Sequence, residues 1–181
     1  MTLKNQLIPG IGLLFLYVIF ALAVFVCLDE DPYIFFRFID NFVAGNGLVF
    51  NEGDRLEGFS SLLWIMLLYP FQIMGFSLPV VSRILGMLLS VAVAWQVVRF
   101  TRKLTNSSSM FSWSAGYWYL LSMPVLWWSQ CGLETSLAAL VILNTAYYSL
   151  YGSHRRLWGG IWLIAGIMTR PEIHMMIPFY G

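Results

Sequence analysis

Leu7 to Leu28 is a run of twenty-two residues without a charge. Wound as a helix at about 1.5 Å per residue, it reaches across a hydrocarbon core of roughly 30 Å. In lipid the backbone must satisfy its own hydrogen bonds, which leaves helices or closed barrels, and long unbroken apolar runs lack the alternation of a barrel strand. The expected fold is therefore all-α, a polytopic transmembrane helix bundle. A cleaved signal peptide is the competing reading of the first run, since Lys4 precedes it and Ala21-Leu22-Ala23 has the small-x-small form. The run continues past that site to Leu28, longer than a usual signal core, and the span is the better reading.

The rest of the chain agrees. Of its 181 residues 59% are apolar and 10% charged, against roughly 25% charged in ordinary soluble domains. The net charge is +1 and no basic patch points to nucleic acid. Cys27 and Cys131 are too few for a disulfide scaffold and have no metal-ligand spacing. In the topology below both sit near one membrane face, which leaves a bridge between them conceivable.

Charge placement orders the remaining runs. Leu62 to Phe76 is short and carries Pro70 at its middle. Were it a crossing, the next run, Val80 to Phe100, would deliver Arg99, Arg102 and Lys103 to the outside, against the tendency of cations to stay inside. It is read instead as an interfacial helix on the outer face. Five spans follow, at about 7–28, 80–100, 110–128, 135–151 and 157–168, in one integral-membrane module over 1–181. A long outer loop, 29–79, carries short juxtamembrane helices. Trp127 and Trp128 suit the outer headgroup level, and His154, Arg155 and Arg156 mark an inner end. Ile173 to Gly181 reads as the start of a further span, and the chain as the amino-terminal part of a longer protein.

This topology gathers three polar groups on one face. The first is the segment Asp29 to Ser61, which holds seven of the nine carboxylates: Asp29, Glu30, Asp31, Asp40, Glu52, Asp54 and Glu57. Three adjacent acids at the exit of a helix repel one another, a cost that a general base or a set of metal ligands would explain, although a plain negative flank ending the helix is equally open. Gly45-Asn46-Gly47 and Asn51-Glu52-Gly53-Asp54 read as turns with glycine at positive φ. Leu48 to Phe50 reads as a short extended piece, and Ser60 or Ser61 as a cap. The second group is Gln130 to Glu134, with Glu134 at a helix start where the dipole favours an acid. The third is Arg170 to His174. An arginine closing a short apolar helix suits an anionic ligand such as phosphate, the alternative being a salt bridge to Glu172 or Glu134. Arg83, near the outer end of the second span, has the same two readings. His174 is more often packed than catalytic.

A family pattern runs through these residues: Glu30-Asp31-Pro32-Tyr33-Ile34, Arg37-Phe38, Gly45-Asn46-Gly47-Leu48-Val49-Phe50-Asn51, Glu57-Gly58-Phe59-Ser60, Gly132-Leu133-Glu134-Thr135 and Thr169-Arg170-Pro171-Glu172, in that order. The chain resembles the amino-terminal part of bacterial GT-C superfamily membrane glycosyltransferases, similar to mycobacterial arabinofuranosyltransferases and to relatives of the protein O-mannosyltransferases. The resemblance implies an inverting enzyme of the bacterial inner membrane, active on its periplasmic face in cell-envelope synthesis. It would move a sugar from a polyprenyl-phosphate donor to a glycan, lipid or protein acceptor. It implies a base in the first outer loop. The family's paired aspartates fall on Glu30 and Asp31, and with Asp29 adjacent the base is one of these three, Asp31 being preferred. Arg170 is implied to hold the carrier phosphate and Glu134 to face the donor or a metal, with Arg37, Glu57, Arg83 and Glu172 as further substrate contacts. Metal dependence stays open, a divalent cation such as Mg or Mn being one use for the acids. A non-enzymatic lipid-carrier transporter or flippase, or a structural subunit of an envelope-assembly complex, is the alternative. A transporter would be expected to carry repeats and mid-membrane ionisable residues, whereas here the acids keep to one surface.

Overall fold

A computed structural model describes residues 4–23, 29–53, 58–106, 110–151 and 154–179, and over these the chain is helical throughout, without a strand. Eight α-helices are described: α1 (Lys4–Ala23), α2 (Pro32–Val43), α3 (Leu62–Ile73), α4 (Leu78–Thr105), α5 (Met110–Leu120), α6 (Met123–Trp128), α7 (Thr135–Tyr151) and α8 (Arg155–Thr169). A 3₁₀ helix, Pro171–Phe179, follows. Among the described residues one helix, α4, is long and apolar enough to cross a membrane, and Ile8–Ala23, Leu62–Ile73 and Leu157–Thr169 are shorter apolar helices.

The central helix is α4. Pro79 in its first turn removes an N–H that would have no helical partner, and Arg102 and Lys103 in the last turn complement the dipole. Asn106 closes it in the left-handed conformation at φ 49°. Ser82, Gly86, Ser90, Ala94 and Val98 recur every fourth residue and are all buried. This narrow stripe lets neighbouring backbones approach, as small residues do between helices in lipid. A Cβ at Gly86 would collide with the backbone carbonyl of Ser129, and one at Gly116 of α5 would meet Val98 Cγ2 at 2.7 Å.

Cross-contacts give each helix its direction. Ser90 Oγ lies 2.8 Å from Ser136 Oγ at the start of α7, while the Arg99 guanidinium stands 4.8 Å from the Tyr147 ring near its end, so α4 and α7 run parallel. Val141 and Gly166 meet, as do Tyr148 and Trp158, so α8 returns antiparallel to α7. Along α1, Gly10 faces Trp113 of α5, whereas the Tyr17 hydroxyl donates to Ser129 Oγ at 2.8 Å. The C-terminal end of α1, the turn after α6, the start of α7 and the end of α8 therefore share one end of the bundle.

Across that end lie α2 and α3. Pro32 supplies the preset φ of a helix start. Phe35, Phe36, Phe38 and Ile39 then face inward onto Trp64, Ile65 and Leu68 of α3 and onto Leu78, Leu137 and Val141. A second core joins Leu13, Tyr17 and Ala21 to Ala94, Val98, Trp113, Leu120 and Leu126.

Several expected boundaries move. The helix expected at the interface ends at Ile73 rather than Phe76, because Gly75 turns the chain at φ 80°. Its twelve residues span about 18 Å, short of a bilayer core. The expected single run 110–128 divides into α5 and α6: Ser122 is extended (ψ 140°) and Pro124 lacks the N–H that would carry the ladder on. The loop after residue 29 is substantially helical, as α2. Leu48 to Phe50 is irregular rather than a strand. Ser61 holds the cap position of α3 without a side-chain cap bond, and its hydroxyl is buried without a partner among the described residues. The expected further span at 173–181 begins as 3₁₀ helix. Cys27, Asp54 and Glu57 lie outside the described residues.

Candidate functional site

The end of α8 and the start of α7 bring together two residues far apart in sequence. Thr169 is the last residue of α8, and its hydroxyl donates to the Ala165 carbonyl at 2.8 Å. Arg170 leaves the helix in an extended conformation (φ −145°, ψ 115°) and swings its guanidinium toward Glu134, with Nη2 2.9 Å from Oε1. The Glu134 side chain is 3% exposed and that of Arg170 is 42% exposed. Arg170 Nη1 also reaches Glu172 Oε1 at 3.4 Å. Both pairings left open by the sequence are thus present in one cluster. Glu134 Oε2 is buried with no partner among the described residues, so half of this carboxylate is desolvated and uncompensated, a costly state for an ionised group.

The turn that presents Glu134 is itself held from several sides. Gly132 sits at φ 84°, a conformation glycine adopts without strain. Its carbonyl accepts from Trp64 Nε1 of α3 at 3.2 Å. Arg83 Nε donates to the Gln130 carbonyl at 3.3 Å, and Gln130 Nε2 donates to the Leu126 carbonyl at 2.9 Å. Burial first, and then the negative charge of Asp29, push the Cys131 thiol above its ordinary range against the opposing pull of Arg83. Asp29 and Arg83 are therefore both within electrostatic reach of this turn. Cys131 is a free, buried thiol.

The acids of the first loop are arranged differently from one another. Asp29 Oδ1 accepts from the Glu30 N–H at 2.8 Å, and Asp31 is the residue before α2, its carbonyl accepting from Ile34 N at 3.1 Å. All three are exposed. Among the described residues no hydrogen bond or ion pair joins Asp31 or Glu30 to Glu134 or Arg170. No three side chains drawn from His, Cys, Asp and Glu come together there as a metal-ligand set. The described acids therefore make no preformed metal site among themselves.

Arg37 supports the loop. Its Nε donates to the Phe50 carbonyl at 3.2 Å, alongside Asn41 Nδ2, which donates to the carbonyls of Val49 (2.9 Å) and Phe50 (2.8 Å). Asp40 Oδ1 accepts from Gln72 Nε2 at 2.7 Å and ties α2 to α3. Asn46 Nδ2 bonds Glu52 Oε1 at 2.9 Å, and Gly45, Gly47 and Gly53 take positive φ as the turn reading expects. His174 Nδ1 pairs with the Pro171 carbonyl, a local packing role. Asn41, Trp64 and Tyr17 organise this end of the molecule and were not singled out from the sequence. The one signal for Asn41 was its polar character on the apolar face of a helix.

No protein-family model matches the chain, and no solved structure matches it. Over 167 residues it is 28% identical to the terminal β-(1→2)-arabinofuranosyltransferase of Mycobacterium tuberculosis. The matched stretch covers 81% of this chain and 26% of that protein, so the chain spans only a part of the relative's length.

Proposed function

We propose that this chain forms part of a polytopic, GT-C-like membrane glycosyltransferase, which moves a sugar from a polyprenyl-phosphate donor to an acceptor at the outer face of a bacterial inner membrane. The observation that carries the reading is the Arg170–Glu134 pair, set beside a carboxylate oxygen that has no partner among the described residues, at the end of the bundle where α1 leads toward the first-loop acids. The distant similarity to an arabinofuranosyltransferase supports sugar transfer as the reaction class. Membrane placement is supported by α4 and by the apolar side chains turned outward: Ile11, Phe15 and Leu22 of α1, Ile84 and Leu88 of α4 and Ile164 of α8. A soluble monomer rarely exposes so continuous an apolar surface.

In this mechanism a lipid-linked donor keeps its chain in hydrocarbon and presents its phosphate at the bilayer edge. An arginine offers five N–H donors in a planar fork. Glu134 and Glu172 orient that fork, leaving the half-exposed face of Arg170 to meet phosphate oxygens as negative charge develops on the leaving group. The acceptor hydroxyl loses its proton to an acid of the first loop, Asp31 in our assignment with Glu30 and Asp29 beside it, as its oxygen attacks the anomeric carbon. Arg83 adds positive potential at the same end. Sugar transfer by membranes carrying the full-length protein tests this: Asp31→Asn and Arg170→Gln should abolish turnover while both variants still insert. Undiminished transfer by both would remove the assignment.

A further inference from the structure

Trp64, the third residue of α3, is fully buried. Its ring belongs to the apolar cluster that joins α3 to Leu137 and Val141 of α7, with Leu133 packed against it. A phenylalanine would fill most of that place, so packing alone does not call for an indole. The indole N–H is an added polar group, and when buried it needs an acceptor. It donates to the Gly132 carbonyl at 3.2 Å, across 68 residues of sequence.

The segment 129–136, which carries Gly132, is fastened at both ends by other helices. The Tyr17 hydroxyl donates to Ser129 Oγ, Arg83 Nε donates to the Gln130 carbonyl, and Ser136 Oγ lies 2.8 Å from Ser90 Oγ. Between those ends the backbone turns at Gly132, φ 84°, where the missing Cβ leaves the peptide planes freer to rotate than at any other residue type. Side-chain sterics at Gly132 therefore cannot fix the middle of the turn. The indole can, because Gly132 is buried and its carbonyl would be left desolvated without that donor if the peptide swung away. Two residues on, Glu134 leaves the same turn. Its carbonyl accepts from Ala138 N at 2.9 Å as α7 begins, and its carboxylate stands 2.9 Å from Arg170 Nη2. The contacts run in series from Trp64 through Gly132 and Glu134 to Arg170.

We infer that Trp64 is a positioning residue for the Arg170 guanidinium: through Gly132 it sets where the Glu134 carboxylate stands, and that carboxylate sets which face of the guanidinium stays open. Trp64 itself touches no substrate in this arrangement. Its effect on transfer rests on the role given to Arg170 above, whereas its hold on the turn does not.

Cys131 precedes Gly132 and is a free, buried thiol, so it reports on the turn without any need for sugar transfer. In the full-length protein, with Cys27 and any later cysteine replaced by serine, alkylation of Cys131 by N-ethylmaleimide in detergent is followed by mass spectrometry. Trp64→Phe keeps an aromatic ring in the core and removes the N–H; it should speed alkylation about tenfold, the factor by which one buried hydrogen bond holds a segment closed. Ile65→Val removes one methylene from the same cluster at a comparable cost in stability and leaves the indole bond in place, so it should keep the rate within about twofold of the unaltered protein. An unchanged rate in Trp64→Phe would overturn the inference, and so would an equal rise in Ile65→Val, which would make the effect ordinary core packing. Alkylation decides the hold on the turn whichever sugar the protein takes. Transfer is then measured on equal amounts of folded protein, with polyprenyl-phosphate-linked arabinofuranose as donor. In Trp64→Phe, kcat should fall about tenfold while the donor KM stays within about twofold, the pattern of an interaction lost in the transition state. Faster alkylation with undiminished kcat would overturn the inference, since Trp64 would hold the turn without aiming a catalytic guanidinium. Arg170→Gln in parallel tells the two failures apart: undiminished transfer there removes the role of Arg170, and lost transfer there leaves that role standing and removes Trp64 alone.

Discussion

Arg170 Nη2 stands 2.9 Å from Glu134 Oε1, and the two partners are unequally hydrated: the carboxylate side chain is 3% exposed, the guanidinium side chain 42%. That inequality decides what each substitution costs. Arg170→Gln strands a buried negative charge, which should destabilise the protein by about 2–3 kcal/mol, toward the low end for breaking a buried pair because Arg170 is partly solvated. Glu134→Gln leaves a cation that water can still reach, and should cost about 1 kcal/mol. Thermal unfolding of the two variants in one detergent checks the order. Arg170→Lys keeps the charge and not the fork, so it should restore most of the stability while leaving transfer impaired.

Glu172 adds a pH dependence to the same cluster. Its own backbone N–H holds its carboxyl below the ordinary value of 4.5, and the hydrogen bond and charge of Arg170 act in the same direction. A depressed folded-state pKa means that the stabilisation is fully present above the ordinary value and is lost as pH falls through the lower, folded one. The melting difference between the unaltered protein and Glu172→Gln should therefore be constant near neutrality and shrink as pH drops below the ordinary carboxylate range. A difference that grows on acidification would show that Glu172 is held by something other than these contacts.

How these contacts could have been foreseen depends on the range of the interaction behind each. Helix positions follow from local apolar runs, and the expectation that α3 lies along the outer face rests on Pro70 and the cations beyond it. Gly45, Gly47 and Gly53 were legible because positive φ is a property of one residue. The division at Ser122 was written in Pro124 and hidden by the surrounding apolar residues, which read equally well as one run. The Arg170 pairing could be narrowed to Glu134 or Glu172 and no further, since the extended backbone that lets one guanidinium reach both appears only in three dimensions. Arg37 illustrates the reverse. Its motif position suggested a substrate contact, and its tie to the irregular chain at Phe50 could not be read beside that, because it depends on how the loop folds.

Close approach at Gly86 predicts intolerance of any side chain there. A Cβ would overlap the Ser129 carbonyl, and backbone on both sides gives neither atom a rotamer to escape into. Ser129 cannot retreat freely, because its hydroxyl accepts from Tyr17 and its segment leads to the Glu134 turn. Gly86→Ala should cost about 1–3 kcal/mol, in the range of overpacked cores. Gly45→Ala, at φ 85° with open space around it, meets no neighbour and should cost only its backbone strain, of the order of 1 kcal/mol. Because the Ser129 segment carries Gln130 and Glu134, Gly86→Ala should also lower transfer activity more than its stability loss explains. Activity measured on equal amounts of folded protein separates the two effects.

The helix directions make a stronger demand, on sidedness. If α4, α5, α7 and α8 lie across a membrane, residues at the acidic end face one compartment and the cations closing α4 face the other. Glu30 and Glu172 are exposed at the first end, Met74 is 67% exposed in the turn between α3 and α4, and Lys103 is exposed at the second. With Cys27 and Cys131 replaced by serine, single cysteines at positions 30, 74, 172 and 103 can be offered a membrane-impermeant maleimide on intact cells. Positions 30, 74 and 172 should label at once, and position 103 only after permeabilisation. Position 74 carries the most information, because it reports whether α3 stays at the outer surface. Were position 172 protected together with 103, the first-loop acids and Arg170 would face different compartments, and no single lipid-linked sugar could be held between them.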